Sequence, residues 1–222
     1  MQFGPPDVDT MFRPGVRRRR RNGAELLVEV LDAGTLHLAT GRLAAVDPFL
    51  GPDIERFGVP FTATAPPGRY PVSLSIARRD RPRKTNTPAP KGEVAAVKLT
   101  IRDDPVVVWE LALQPGEDPA TLRPDEIFGF AVDSGTGSFL DASAVPALSR
   151  LSDPGPELNQ DSELDKIGPE ILSKRVVNLV VDPASELNVI IFSCGMGDGL
   201  YPTWVGWTST DELACFVTDL EL

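Results

Sequence analysis

The stretch Asn188–Trp207, NVIIFSCGMGDGLYPTWVGW, decides how the chain is read. Val189-Ile190-Ile191-Phe192 is an unbroken apolar run, the pattern of a strand buried on both faces. It breaks into three glycines around one acid: Gly195, Gly197, Asp198 and Gly199. A second strand is predicted at once over Tyr201–Trp207, and it holds two of the three tryptophans, Trp204 and Trp207. Three glycines in five residues exceed what one tight hairpin needs, so the loop is as informative as the strands it joins.

Outward from this stretch, Val176–Val181 and Leu213–Leu220 also read as strands, and the last four strands in tandem suggest one antiparallel sheet. Upstream, Tyr70, Val72, Leu74 and Ile76 alternate with Pro71, Ser73, Ser75 and Ala77, the period-two signal of a half-buried strand. Val94–Ile101 repeats it with Ala95, Val97, Leu99 and Ile101 inward. Val106–Leu113 repeats it again with Val107, Trp109, Leu111 and Leu113 inward and Glu110 outward, which makes Trp109 a core residue. These three strands suggest a meander. Thr35–Leu38 and Arg42–Val46 are short strands, the latter ended by Asp47-Pro48, while Ala24–Asp32 suits either a helix or a strand. Ile127–Val132 is a strand that ends in a glycine-rich turn, Asp133–Asp141 (DSGTGSFLD). Asp141 or Ser143 can start a short helix by accepting free first-turn amides. Pro169 limits Asp161–Lys174 to two short helical pieces.

The fold class that follows is mainly β: an antiparallel β-sandwich or curved sheet of about ten to twelve strands with short helical insertions, with α+β as the alternative. The expected organisation is a flexible basic arm over residues 1–23 and a single domain over 24–222, with the helical insertion around 141–174. Residues 78–92, RRDRPRKTNTPAPKG, form a basic, proline-rich loop.

The charge is divided. The net charge of −10 splits into +5 over residues 1–104 and −15 over 105–222. An acidic C-terminal half argues against nucleic acid, whose binding rests on neutralised phosphates, and suits a basic protein partner or solubility alone. No window approaches the ~18 apolar residues of a membrane span. Cys194 and Cys215 make no disulfide framework and are expected to be free thiols two strands apart, so the location expected is cytoplasmic.

Several chemistries lack their residues. CGMGDG has the spacing G-x-G-x-G and is followed by proline and tryptophan, not by the helix that a dinucleotide fingerprint opens. His37 is the only histidine, and neither cysteine has a convincing base. Zinc would need more Cys and His ligands than the chain carries. Carboxylates remain: Asp133, Asp141 and Asp198 flank glycine-rich turns, and Asp47 ends a strand in the same manner. Such acids either converge on a hard cation or simply make their turns. The glycine loop either forms an anion-binding nest beside Tyr201 and Trp204 or is a wide hairpin with its aromatics in the core. The candidate ligand or partner cleft is therefore Asp133, Asp141, Gly195, Gly197, Asp198, Gly199, Tyr201 and Trp204. No cofactor and no catalytic residue is assigned.

GMGDGLYPTWVGW, with the closing Thr218-Asp219, resembles the C-terminal signature of a bacterial family, domain of unknown function 4241. GRLAAVDP (41–48), PPGRYPVSLSIA (66–77), VAAVKLTI (94–101), VVVWELAL (106–113) and VDSGTGSFLD (132–141) are similar to its other conserved pieces, over about residues 40–222. The resemblance implies no established activity. The functional expectation is a non-enzymatic cytoplasmic bacterial binding or immunity-type protein. The alternative is a metal-assisted hydrolase using Asp133, Asp141 and Asp198.

Overall fold

The computed structural model of the chain describes residues 4–19, 25–79, 92–155 and 161–220. Among these residues the strands are β1 (Arg17–Arg19), β2 (Glu25–Leu38), β3 (Leu43–Val46), β4 (Gly68–Arg79), β5 (Glu93–Thr100), β6 (Val108–Leu111), β7 (Phe130–Val132), β8 (Thr136–Asp141), β9 (Val176–Asp182), β10 (Leu187–Ser193), β11 (Gly199–Tyr201), β12 (Thr203–Trp207) and β13 (Leu213–Asp219). The helices are α1 (Val8–Met11), α2 (Ile54–Phe57), α3 (Val145–Ser152) and α4 (Gly168–Lys174). The protein is mainly β, with one large curled sheet and few short helices.

The large sheet has the order β1-β2-β4-β5-β13-β12-β6, and a second sheet has the order β3-β8-β10-β9. A two-stranded ribbon, β11-β7, stands apart. All pairings are antiparallel. The two sheets share one core. Leu36, Leu74, Leu99, Val205 and Phe216 from the large sheet meet Phe139, Ile190 and Phe192 from the small one. Phe139 and Phe192 cross edge to face at 5.4 Å, an arrangement favoured by the ring quadrupoles.

β10 explains the apolar run. Its Ile190 and Phe192 enter the core between the sheets, while Leu187, Val189 and Ile191 pack under α2, α3 and α4 with Ile54, Leu148 and Ile171. Both faces of the small sheet are thus covered, and every residue of β10 is buried. The outer face of the large sheet is partly covered by α1, where Val8 and Met11 pack on Leu26, Ala77, Ala95, Ala96, Cys215 and Val217. The stretch expected as an arm therefore holds a one-turn helix with a buried Met11, and β1, three of the arginines, paired to β2.

Several local expectations are corrected. Of the stretch that suits either a helix or a strand, Glu25 to Asp32 is strand, continuous with Thr35–Leu38 through an irregularity at Asp32/Gly34. Asp133–Asp141 is not one turn: the turn ends at Gly135, and Thr136–Asp141 is β8, fully buried. The last four strands do not share one sheet, because β9 and β10 lie in the small sheet and β12 and β13 in the large one. The meander stops at β5, since β13 takes the place beside it and β6 pairs with β12 instead. On β5, Val94, Val97 and Leu99 face the central core and Ala95 faces α1. A register shift opposite Ser75/Ile76 adds one residue, which reverses the alternation before it. The loop expected at 78–92 lies almost wholly outside the described residues.

The β3–β8 pair is tied at both ends by buried acids. Asp47, fully buried, follows β3 and accepts from the amides of Phe49, Asp133 and Ser134 at 2.9, 2.8 and 2.8 Å, and from the Ser134 hydroxyl at 2.7 Å. Asp141, fully buried, closes β8 and accepts from the Thr40 amide and hydroxyl and from the Ser143 amide, each at 2.9 Å. Each carboxylate fixes the turn that enters the neighbouring strand. Removing one member of such a buried charged network leaves its donors unpaired, so Asp47→Ala and Asp141→Ala should each cost about 3–5 kcal/mol. The exposed Asp133→Ala should change stability by less than about 0.5 kcal/mol. Urea unfolding of the three variants is the measurement, and equal losses at all three would refute the assignment.

Candidate functional site

The structure separates the eight candidate residues into three places. Asp133 is exposed at the turn before β8, and Asp141 is buried at its far end. The intervening strand is about 17 Å long at roughly 3.3 Å per residue. Both are held by or near the hydrogen-bond nets just described, and among the described residues no three His, Cys, Asp or Glu side chains form a group able to hold a metal ion. Asp198, exposed on the glycine loop, does approach the turn after Asp133. A Cβ on Gly135 would sit 3.8 Å from the Gly197 Cα and 4.0 Å from Asp198 Oδ1. The Cys194 amide donates to the Gly135 carbonyl at 2.8 Å.

The glycine loop leads from β10 of the small sheet into the ribbon strand β11, which precedes β12 of the large sheet. Two of its glycines have identifiable causes. A Cβ on Gly195 would fall 2.4 Å from the Val94 carbonyl oxygen, so the loop presses directly on the start of β5. Gly197 has φ +88, a conformation that L side chains adopt at a cost. Its carbonyl accepts the Tyr201 hydroxyl at 2.8 Å. Gly199 has open space around it apart from ordinary contact with the Tyr201 ring, and it pairs with Val132 across the ribbon. Tyr201 is buried and packs on Phe130. The close approach that the glycine excess implied is thus supplied by the neighbouring strand β5.

Ionisation at this corner is suppressed. Burial, with the nearby charges of Asp47 and Asp198, pushes the Cys194 thiol well above its ordinary range. Burial likewise raises Tyr201 to about 12 and Cys215 to about 11. A thiol held protonated is a poor nucleophile. Both cysteines are free, as the sequence predicts, but for a different reason from the one given there: Cys194 lies in the core between the sheets and Cys215 on the opposite face of the large sheet.

A cleft lies elsewhere. It measures about 660 Å3 and is walled by Trp109, Glu110 and Leu111 of β6, by Trp204 of β12, and by the connection Pro119–Ile127. Trp204 is the one of the eight candidates that lines it. Val205 enters the core, so Trp204, next to it on the strand, turns to the outer face. There it lies across from Leu111. Trp204 is 7% exposed, and its indole N–H finds no acceptor. Glu110 is exposed and accepts from the Trp207 indole at 2.9 Å. Trp109 is half-buried, not a core residue as its alternation predicts, because β6 is the sheet's outermost strand. A second cleft of about 370 Å3, on the other side of Trp109, runs between α1 and the Lys98–Val106 segment. Sequence alternation put Trp109 and Leu111 on one face correctly but took that face for the central core: Trp109 packs with the α1 cluster on the outer face, and Glu110, opposite Val205, is on the core side. Asp103-Asp104-Pro105 before β6 and the loop from Gln114 after it gave no signal of sheet position.

This two-sheet chain, with α2, α3 and α4 over its small sheet and α1 over its large one, has a family. The chain belongs to the family described as protein of unknown function (DUF4241), whose model matches residues 36–218. No curated protein and no solved structure gives a significant match. No helix among the described residues is long and apolar enough to cross a membrane.

The raised thiol and phenol values fix a pH dependence. Above the ordinary thiol value of 9.0, the unfolded chain gives up protons that the fold retains, so stability is full below that pH and falls as pH rises. Tyr201 adds to the fall from 10.0 to about 12. Urea midpoints measured from neutral pH to beyond 10 should therefore decline, and Cys194→Ala should flatten the first part of the decline. A flat profile in the parent protein would contradict the assignment. At neutral pH, Gly195→Ala should cost about 1–3 kcal/mol through overpacking against β5, whereas Gly199→Ala should be nearly neutral.

Proposed function

We propose that this chain is a cytoplasmic, non-enzymatic binding protein of the immunity type, and that it engages a basic protein partner. The observation that carries this reading is the cleft of about 660 Å3, which two indoles, Trp109 and Trp204, line together with Glu126. Aromatic walls with a few polar groups are the usual composition of a binding site, and Trp is enriched among the residues that dominate interface energy. The charge of the C-terminal half, −15, would draw a cationic partner by long-range steering. The buried thiols and the two hydrogen-bonded acids, Asp47 and Asp141, support the non-enzymatic part. Each is engaged in holding the fold.

The test is affinity capture from the native host, with Trp109→Ala and Glu126→Gln as controls. The expected result is a basic protein retained by the parent chain, released by raised salt because exposed charge pairs are screened, and retained poorly by both variants. A captured protein that binds both variants as well as the parent would overturn the placement of the site. Substrate turnover by the purified chain would overturn the non-enzymatic reading.

A further inference from the structure

The cleft is bounded on one side by an open sheet edge. β6 is the last strand of the large sheet, and among the described residues no strand pairs with its outer side. The Ala112 amide donates to the Thr203 carbonyl at 2.8 Å, and Glu110 and Val108 stand opposite Val205 and Trp207. Backbone polar groups alternate in direction along an antiparallel strand. Glu110 and Val108 therefore direct their amides to β12, and Trp109 and Leu111 direct theirs outward. A row of outward amides and carbonyls is a template for another strand.

Three further observations say what kind of strand. The edge begins with exposed apolar side chains, Val107 and Val108, at 57% and 47% exposure. The connection from Gln114 to Ile127, whose later part forms the far wall, carries Glu117, Asp118, Asp125 and Glu126 against the single cation Arg123, which is itself paired to Glu126 at 3.4 Å. This side of the cleft is therefore acidic. Within the wall, the buried indole N–H of Trp204 is left without an acceptor, which is unfavourable for a buried donor.

We propose that β6 accepts an extended basic segment of a partner protein as an added strand. The main chain of that segment pairs with Trp109 and Leu111, and its arginine or lysine side chains reach the indole wall and the acidic side of the cleft. Backbone pairing supplies affinity and alternate side chains supply selection; a cation over an indole face adds to it. This inference rests on the binding reading above and specifies its mode.

The experiment uses the full chain and three synthetic peptides. One alternates arginine and valine, one has the same sequence with every amide N-methylated, and one has glutamate in place of arginine. Indole fluorescence titration reads affinity, and sedimentation reads the oligomeric state. The arginine peptide should bind and lose affinity as salt rises. The N-methylated peptide should bind at least about ten-fold more weakly, as expected from losing one or two hydrogen bonds, and the glutamate peptide should not bind. Equal binding of the N-methylated peptide would overturn strand addition while leaving a basic partner at the cleft intact. Equal binding of the glutamate peptide, or no binding of the arginine peptide, would overturn the charge argument and the basic-partner reading with it. A chain that sediments as a dimer, and that Leu111→Pro returns to a monomer, would assign the edge to a second copy and overturn the proposal.

Discussion

Two carboxylates out of contact with water hold the small sheet to its connections. Asp47 and Asp141 lie at opposite ends of the β3–β8 pair, and each accepts backbone amides from the turn that feeds the other strand. A buried carboxylate is tolerable when donors surround it and costly otherwise. The arrangement sets the alignment of β3 on β8. On the other side of β8, its pairing with β10 brings Phe139 against Phe192 in the central core. Where the chain leaves β2 for β3, it bends at Gly41, whose Cβ would fall 2.0 Å from the Ala65 carbonyl oxygen. The crossings between sheets are thus fixed by local polar bonds and close backbone approach, and the apolar layers fill what lies between.

A second tie joins the sheets at the other corner. Asn188 on β10 accepts the His37 amide and donates to the Thr35 carbonyl, both at 2.8 Å, and donates to Asn178 at 2.7 Å. His37 is half-exposed on β2 and helps close this corner with its backbone, so the sole histidine belongs to the architecture.

Much of the fold was legible because apolar alternation reports directly on faces. The run Val189–Phe192 told of a strand covered on both sides, and Tyr70–Ile76 gave the correct inward face. What alternation does not report is neighbour order. Nothing in Val106–Leu113 reveals that β13 will insert beside β5, so Trp109 read as core when it is the wall of a cleft at an edge. Composition misled in a second way. Glycine and aspartate together signal turns, yet in DSGTGSFLD the glycine at 137 makes room for the Phe192 ring in a buried strand: a Cβ there would be 2.7 Å from that ring. Of the candidate site, Trp204 was reachable from sequence; its neighbours Trp109 and Leu111 were not, because they come beside it through β6–β12 pairing across almost a hundred residues.

The position of β13 has a consequence for how the chain matures. It is the last strand in sequence, yet it lies between β5 and β12 in the middle of the large sheet. While the protein is being synthesised, β5 must wait with an open edge until residues 213–219 emerge. Contacts of such long sequence separation slow folding and prolong exposure of unpaired strands. The N-terminal half is therefore an unfinished sheet at the ribosome, and a truncation that removes only the last ten residues would leave the sheet split down its centre.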